Sequence, residues 1–221
     1  MAMHPLVIDP EGWLVTVVGG GEQAAERVAG MLDAGAQVRV VAPDVLPRIA
    51  GEIEAGRVVW ESRNYQDGDL REARLVFAAT GCGAVDQQVA AEARRLNIPC
   101  AVLEHPEEGT LRQPVFFHRG PLTVAVSAGE SAAELDRRLL RHLDLQIPAL
   151  YGHLAEIVLR FAARAREQID SRQERLTFQR ELVAFLEGPE IHKDLAGGHM
   201  DGALAGAREL LRKHVARNRP D

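Results

Sequence analysis

The chain has 221 residues, of which 46% are hydrophobic and 26% are charged, a composition typical of a soluble globular protein and unlike that of disordered chains. Its formal net charge of −6 argues against a nonspecific nucleic-acid binder, which would be basic. No apolar run approaches the ~18 residues that span a bilayer, and the start, MAMHPLVIDPEGW, does not have the pattern of a signal peptide. Cys82 and Cys100 are expected to be free thiols, which predicts a cytoplasmic protein.

Strands and helices alternate over the first half of the chain. The run LVTVV is apolar, β-branched and followed by glycines, as in a buried strand. The next segment has apolar residues at helical spacing and ends at Gly35, a typical C-terminal glycine. In chain order we predict strands at 14–18, 38–42, 57–61, 75–79 and 98–103, and helices at 22–34, 45–55 and 84–96. This alternation predicts an α/β fold with a Rossmann-like parallel sheet.

The composition changes after a last apolar strand at 122–127. From there we predict helices at 131–143, 149–169, 172–186 and 202–215. A stripe at helical period comprises Leu150, Leu154, Ile157, Val158, Phe161 and Ala165. The pattern favours a separate helical region, and the stripe indicates either an internal packing face or a dimer face.

The segment after the first strand, GGGEQA, fits a dinucleotide fingerprint. Gly19, Gly21 and Ala24 match the pattern G-x-G-x-x-G/A between a strand and a helix. The first glycine permits a tight turn, the second lets the backbone approach a pyrophosphate, and the small third residue lets the helix pack on the strand. The helix N-terminus adds N–H donors and a partial positive charge. The expected cofactor-binding residues are Gly19, Gly21, Glu22, Ala24, Pro43, Asp44 and Thr80.

The end of the second strand bears on the choice between NAD and NADP. The usual ribose-binding acid is missing there, and Asp44 follows only after Pro43. Asp44 is either a ribose contact or a turn residue or helix cap. No arginine stands at this point to hold a 2′-phosphate, although Arg39 lies within the strand. NAD is therefore the expected cofactor.

Several segments together resemble the siroheme synthase family, specifically its precorrin-2 dehydrogenase module. VTVVGGGEQAAERVAGMLDAGAQVRVVAP is similar to the opening of that module. LVFAAT at 75–80 resembles the strand that leads to the nicotinamide side of the cleft. GPLTVAVSAG at 120–129 resembles the stretch that bears a serine in the family, here Ser127, and LDRRLLRHL resembles the helix after it. The resemblance covers roughly residues 5 to 145 in the correct order.

The resemblance implies NAD-dependent oxidation of precorrin-2 to sirohydrochlorin and, in some members, insertion of ferrous iron. It implies the single-function type, without a methyltransferase domain, and a homodimer. We therefore expect an NAD-binding Rossmann-like domain at 1–119, a dimerisation region at 120–148 and a helical C-terminal domain at 149–221.

The loop AVLEHPEEGTLRQP departs from the family pattern. The resemblance implies an aspartate in this loop that does the proton chemistry. Alignment from the start of the loop puts Glu104 at that place, and alignment from its end puts Glu108 there. A carboxylate near the macrocycle can take the proton that dehydrogenation releases. Glu104 and Glu108, together with Ser127, are the expected catalytic residues, and each glutamate is equally compatible with a solvated loop charge.

A pocket for a substrate with many carboxylates should be locally basic, even in an acidic protein. The expected substrate-binding residues are His105, Arg112, His118, Arg119, Arg137 and Arg138. The helix arginines also fit a solvated face, and His105 fits an exposed loop residue, a proton carrier or an iron ligand. Ser127 either donates to a substrate carboxylate or caps the next helix. The spacing of the histidines predicts no resident metal site.

Two classes of function follow. The leading hypothesis is an NAD-dependent precorrin-2 dehydrogenase, favoured by the ordered strands, the glycine turn and Ser127. The alternative is a non-catalytic relative that binds a tetrapyrrole or NAD as a carrier, sensor or assembly partner, favoured by the altered acid loop. A chelatase without redox activity is a third hypothesis.

Overall fold

The computed structural model describes residues 4–129 and 132–217. The chain forms two compact units that divide between Gln113 and Pro114. The division expected from the sequence, with boundaries after residues 119 and 148, stays a prediction about domain organisation.

The first unit has a five-stranded parallel sheet in the order β3-β2-β1-β4-β5. Its strands are β1 (Leu14–Val18), β2 (Gln37–Val41), β3 (Val58–Glu61), β4 (Leu75–Ala78) and β5 (Cys100–Val102). Its helices are α1 (Glu22–Asp33), α2 (Pro47–Glu54) and α3 (Gly83–Leu96), and Pro106–Glu108 forms a short 3-10 helix. The predicted α/β, Rossmann-like fold is therefore confirmed.

Both faces of this sheet are covered, which explains why its strands are predominantly apolar. Successive side chains of a strand point to opposite faces. Val17 accordingly packs in one buried cluster with Val40 and Phe77, whereas Val18 packs in another with Val76. The carboxyl ends of β1, β2 and β4 meet at one edge of the sheet, which is where ligands of open α/β sheets bind.

The second unit begins with an antiparallel hairpin and continues as helices. Its elements are β6 (Val115–Arg119), β7 (Leu122–Val126), α4 (Ala133–Gln146), α5 (Leu150–Gln168), α6 (Arg172–Leu186), α7 (Pro189–Ala196) and α8 (Asp201–Arg217). The strand expected at 122–127 is present as β7, but its partner β6 and the helix α7 were missed. Ser131, the expected start of the fourth helix, lies outside the described residues.

The helices of the second unit bury their own apolar core. Phe161, Phe178 and Leu182 are fully buried there. The stripe of α5 lies in or against this core: Leu150, Ile157, Phe161 and Ala165 are buried, and Leu154 and Val158 pack against them. Of the two alternatives left open by the sequence, the packing face is therefore the one that the structure supports.

Candidate dinucleotide site

The first two glycines of the turn are required by the chain itself. Gly19 has a φ of +124°, and a Cβ on it would lie 2.1 Å from the Ala79 carbonyl oxygen. A Cβ on Gly20 would lie 1.9 Å from the carbonyl oxygen of Asp44. Real Cβ atoms do not approach backbone so closely, so any larger residue would push the turn away from β4 or from the segment after β2.

Gly21 differs from its neighbours because no described atom lies within 4 Å of a Cβ placed on it. Its φ of −82° is open to any residue, and it occupies the N-cap position of α1. The absence of a side chain therefore leaves free space in front of a helix N-terminus, where N–H groups and the helix dipole favour an anion. This arrangement fits the pyrophosphate of a dinucleotide.

Two other predicted cofactor residues have roles within the fold. Ala24 is fully buried in the core between α1 and the sheet, which agrees with the packing role of the third fingerprint position. Glu22 is exposed, and its carboxylate pairs with Arg48. The contact of Glu22 and Ala24 with a cofactor stays a prediction.

A cleft of about 500 Å³ opens at the carboxyl edge of the sheet. Its walls are the glycine turn, residues 41–46 at and after the end of β2, Asn64 and Tyr65, Thr80 and Cys82 before α3, and Val85 in its first turn. The glycine turn, Pro43, Asp44 and Thr80 are thus brought together around one cavity. Its volume lies within the range of small-molecule sites.

Pro43 and Asp44 are exposed in the turn after β2. Helix α2 begins at Pro47 with Leu46 at its cap position, so the helix-cap interpretation of Asp44 is wrong. Arg39 donates to the carbonyl oxygens of Asp69 (2.8 Å) and Arg71 (3.0 Å). Its guanidinium therefore binds the backbone of the loop between β3 and β4.

The structure separates the two candidate acids. A Cβ on Gly81 would lie 3.9 Å from Oε1 of Glu104, which is exposed beside the turn that follows Thr80. Glu108 instead lies against α3: its Oε1 accepts from Gln87 Nε2 (2.7 Å), and its carbonyl oxygen accepts from Arg94 (3.0 Å). Glu104 is therefore beside the cleft turn, and Glu108 is attached to the helix flank.

His105 lies on the same turn as Glu104. A Cβ on Gly83 would lie 3.7 Å from His105 Nε2, and His105 Nδ1 is 3.3 Å from Glu107 Oε1. A backbone hydrogen bond and the contact with His105 hold the pKa of the Glu107 carboxyl below its usual value. The positive charge of Arg112, which is half-buried in the same loop, also lowers the pKa of the Glu107 carboxyl.

The two cysteines differ in environment. Cys82 is exposed at the cap position of α3 and lines the cleft. Cys100 is buried, and burial raises the pKa of its thiol to about 12. Both thiols are free, as predicted.

The remaining predicted residues lie in the second unit. Ser127 is exposed directly after β7. His118 Nδ1 is 3.0 Å from Thr123 Oγ1, and Arg119 pairs with Asp144. Arg137 and Arg138 are exposed on α4, where both contact Glu134, at 3.2 and 3.7 Å.

Ser127 does not cap α4, since residue 132 holds the cap position. Asp136 is the side chain that joins α4 to this segment, because its Oδ1 accepts from the N–H of Ala128 (2.6 Å). The helix-cap interpretation of Ser127 is therefore wrong, and its contact with substrate stays a prediction.

Within residues 4–129 and 132–217, no group of three or more His, Cys, Asp or Glu side chains is arranged to hold a metal ion. Across the same described residues, every helix is too short or too polar to cross a membrane.

The comparisons with known proteins agree with this geometry. Residues 6–115 match a family model described as putative NAD(P)-binding. The first unit is therefore a Rossmann-like dinucleotide-binding domain, and the prediction of a nicotinamide dinucleotide as its cofactor is confirmed.

The similarity extends over the whole chain. A siroheme synthase from Pseudomonas aeruginosa is 35% identical over 216 residues, which cover 98% of this chain and 45% of that protein. The siroheme synthase of Nitrosospira multiformis is 34% identical over 214 residues, 95% of this chain and 45% of that protein. The chain thus spans less than half the length of these relatives.

A solved structure named SirC, precorrin-2 dehydrogenase, has the same fold. It matches with a TM-score of 0.72 at 22% identity, over 96% of this chain and 98% of that one.

Proposed function

We propose that this chain catalyses the NAD-dependent oxidation of precorrin-2 to sirohydrochlorin. The names of its relatives and of its structural neighbour support this reaction class. The observation that carries the proposal is the position of Glu104, whose carboxylate lies beside the turn at the edge of the dinucleotide cleft. A candidate base and a hydride acceptor would thereby share one edge of the sheet.

The residues of the glycine turn would bind and orient the cofactor. The open space at Gly21 admits the pyrophosphate to the N-terminus of α1. Asp44, exposed at the end of β2, would accept a hydrogen bond from a ribose hydroxyl and would repel a 2′-phosphate. NAD is favoured over NADP by this charge and by the hydrogen bonds of Arg39 to the loop between β3 and β4, which keep its guanidinium from a 2′-phosphate.

The reaction removes one hydride and one proton from the macrocycle. NAD, held by the glycine turn, would supply the hydride acceptor. Glu104 would take the proton, and His105, which also reaches this turn, would pass it to solvent. Glu108 is attached to α3 and is proposed to support the loop rather than the chemistry.

Substrate binding is proposed for the basic residues and for Ser127. Precorrin-2 carries many carboxylates, which guanidinium and imidazole groups recognise. Arg112 and His105 would contribute from the loop after β5. In the second unit, taken by itself, His118, Arg119, Arg137 and Arg138 would recognise carboxylates in the same way, with Ser127 donating a hydrogen bond.

A homodimer is part of the proposal. The hairpin and α4 expose large apolar side chains: Phe116 (42%), Leu135 (50%), Leu139 (40%) and Leu145 (82%). Apolar groups of this size on adjacent elements are typical of a surface covered by another chain. The cytoplasmic location also stays a prediction.

Anaerobic incubation of the purified chain with precorrin-2 and NAD tests the proposed reaction. We expect the visible spectrum of sirohydrochlorin to develop only when both protein and NAD are present. Protein that binds precorrin-2 or sirohydrochlorin tightly without turnover would contradict the proposal and favour a carrier.

The resemblance also implies a second activity, the insertion of ferrous iron into sirohydrochlorin. To test it, ferrous iron is added as a substrate after oxidation is complete. Faster siroheme formation than in protein-free controls would assign iron insertion to the chain. Siroheme formed from supplied sirohydrochlorin, in a protein that does not oxidise precorrin-2, would identify a chelatase without redox activity.

A further inference from the structure

Asp86 is a buried acid next to the dinucleotide cleft. It lies in the first turn of α3, and its relative exposure is 0%. Oδ1 accepts from the hydroxyl of Thr80 (2.8 Å) and from the Thr80 N–H (3.2 Å). Oδ2 is also buried and has no hydrogen-bond partner among the described residues. Burying a carboxylate in this way is costly, so the two bonds to Thr80 call for an explanation.

The hydroxyl of Thr80 is engaged within the turn. Its oxygen accepts from the N–H of Cys82 (3.1 Å). Its single proton has two acceptors within reach, Asp86 Oδ1 at 2.8 Å and the Cys82 carbonyl oxygen at 3.2 Å. The carboxylate oxygen is the nearer and the more strongly charged, so it takes the proton. Thr80 therefore shapes the turn instead of offering its proton to the cofactor.

The turn held in this way forms one wall of the cleft. Thr80, Cys82 and Val85 line the same cavity as the glycine turn, and Gly81 has a φ of +70°. The turn also lies against Glu104 and His105, through Gly81 and Gly83. A change in its conformation would move the cofactor wall and the neighbourhood of the candidate base together.

We infer that Asp86 is a positioning residue that acts through Thr80 to fix the turn 80–83 as a wall for the dinucleotide. A wall that is already ordered binds its ligand without a further loss of conformational freedom. Only the acceptor character of Oδ1 is required, because both bonds end on that atom. The inference rests on the proposed function, since it concerns the same cleft.

The test is a double-mutant cycle on NADH affinity, measured by fluorescence titration. Asp86→Ala and Thr80→Val are each expected to raise the Kd about tenfold, which corresponds to ~1.4 kcal/mol. The double variant is expected to show no larger rise than Asp86→Ala alone, because the hydroxyl bond that Thr80→Val removes is already lost in Asp86→Ala. A Kd near the wild-type value for folded Asp86→Ala, or a hundredfold rise in the double variant, would overturn the inference.

Conservative variants separate positioning from folding. Asp86→Asn and Thr80→Ser each keep the required bond and should keep the Kd within about threefold of wild type. Val89→Ala, in the buried core below the same helix, should lower the melting temperature without changing the Kd. If Val89→Ala weakened NADH binding as much as Asp86→Ala, the effect would be one of helix stability, and the positioning role would be wrong.

The binding cycle does not depend on turnover. Protein that binds NADH but leaves precorrin-2 unchanged would overturn the proposed reaction and leave the comparison of Asp86 with Thr80 intact. Normal turnover of precorrin-2 by the wild-type protein, together with an Asp86→Ala Kd equal to that of wild type, would overturn the positioning role of Asp86 and leave the proposed reaction intact.

Discussion

The two units of the chain leave different kinds of surface open. In the first, Gly19 and Gly20 are fixed by close approaches of the chain to itself, and Gly21 leaves open space before a helix. In the second, α5 to α8 bury their core, but the hairpin and α4 expose side chains such as Phe116 and Leu139. A gap at a helix N-terminus suits a small anion, whereas extended apolar surface suits a protein partner.

The largest expected effect is on the glycine turn. Gly19→Ala places a Cβ against the Ala79 carbonyl oxygen at a positive φ, which should destabilise the first unit by about 4 kcal/mol or more. Urea unfolding followed by tryptophan fluorescence measures this, because Trp13 and Trp60 both lie in the first unit.

Gly21→Asp is the matched variant. Its side chain enters open space, so the unfolding midpoint should stay near that of wild type, while charge repulsion should weaken NADH binding about a hundredfold or more. A folded Gly21→Asp protein that binds NADH with wild-type affinity would show that the pyrophosphate does not bind at this position.

His214→Ala should affect only the second unit. His214 is fully buried, with Nδ1 2.6 Å from Glu174 Oε1 and Nε2 3.1 Å from Glu181 Oε2. Removing the ring leaves a cavity between two carboxylates, which should cost about 3 kcal/mol in unfolding free energy.

Helical circular dichroism during urea unfolding measures the loss, while tryptophan fluorescence should still report a first unit of wild-type stability. Lys213→Ala, exposed on the same helix, is the control and should change neither signal. Equal losses for the two variants would mean that the buried ring contributes no more than an exposed side chain.

Leu139→Asp tests the surface of the hairpin and α4. A charge in a covered apolar interface should raise the dimer dissociation constant at least about tenfold. Sedimentation velocity over a range of concentrations measures it. Leu159→Asp, on a side chain of α5 that is 57% exposed, should leave the dimer intact, and a stronger effect there would move the interface to α5.

The smallest expected effect concerns the loop between β3 and β4. Arg63 holds Asp69 through bonds of 2.7 and 2.8 Å, and this interaction lowers the pKa of the Asp69 carboxyl. Because the pKa of Asp69 is lower in the folded than in the unfolded protein, its carboxylate stabilises the folded state at pH values above the unfolded pKa of about 4. This stabilisation is lost as the pH falls through the folded pKa.

Asp69→Asn should therefore cost about 1 kcal/mol at neutral pH, after allowance for the partly exposed Arg63, and less in acid. Tryptophan-monitored unfolding at several pH values measures it, with the exposed Asp67→Asn as the control. If the difference in unfolding free energy between Asp69→Asn and wild type became larger as the pH was lowered, the stabilising role of the Asp69 carboxylate would be contradicted.

The first unit was the more predictable one because its signals are local. The apolar run of β1, the glycine turn and Gly35 each determine backbone within a few residues, and the predicted bounds agree closely with those observed. The second unit depends more on tertiary pairing. Strand β6 has alternating exposure and becomes recognisable only through its pairing with β7, and α7 is a helix of eight residues between glycines.

The candidate site was predictable in part for the same reason. Gly19, Gly21, Pro43, Asp44 and Thr80 follow strands directly, so topology alone brings them to one cleft. The choice between Glu104 and Glu108 needed the 3-10 helix at Pro106–Glu108, which turns Glu108 towards α3. Asp86 was missed, although an acid in the first turn of a helix that follows Thr80 was a usable signal.

The most direct test compares the rates at which NADH appears from NAD and precorrin-2 with wild type, Glu104→Gln and Glu108→Gln. The account predicts steady formation by wild type, a loss of about a hundredfold in Glu104→Gln with unchanged NADH affinity, and a rate within about threefold of wild type in Glu108→Gln. Full activity of Glu104→Gln, or no NADH from the wild-type protein, would contradict it.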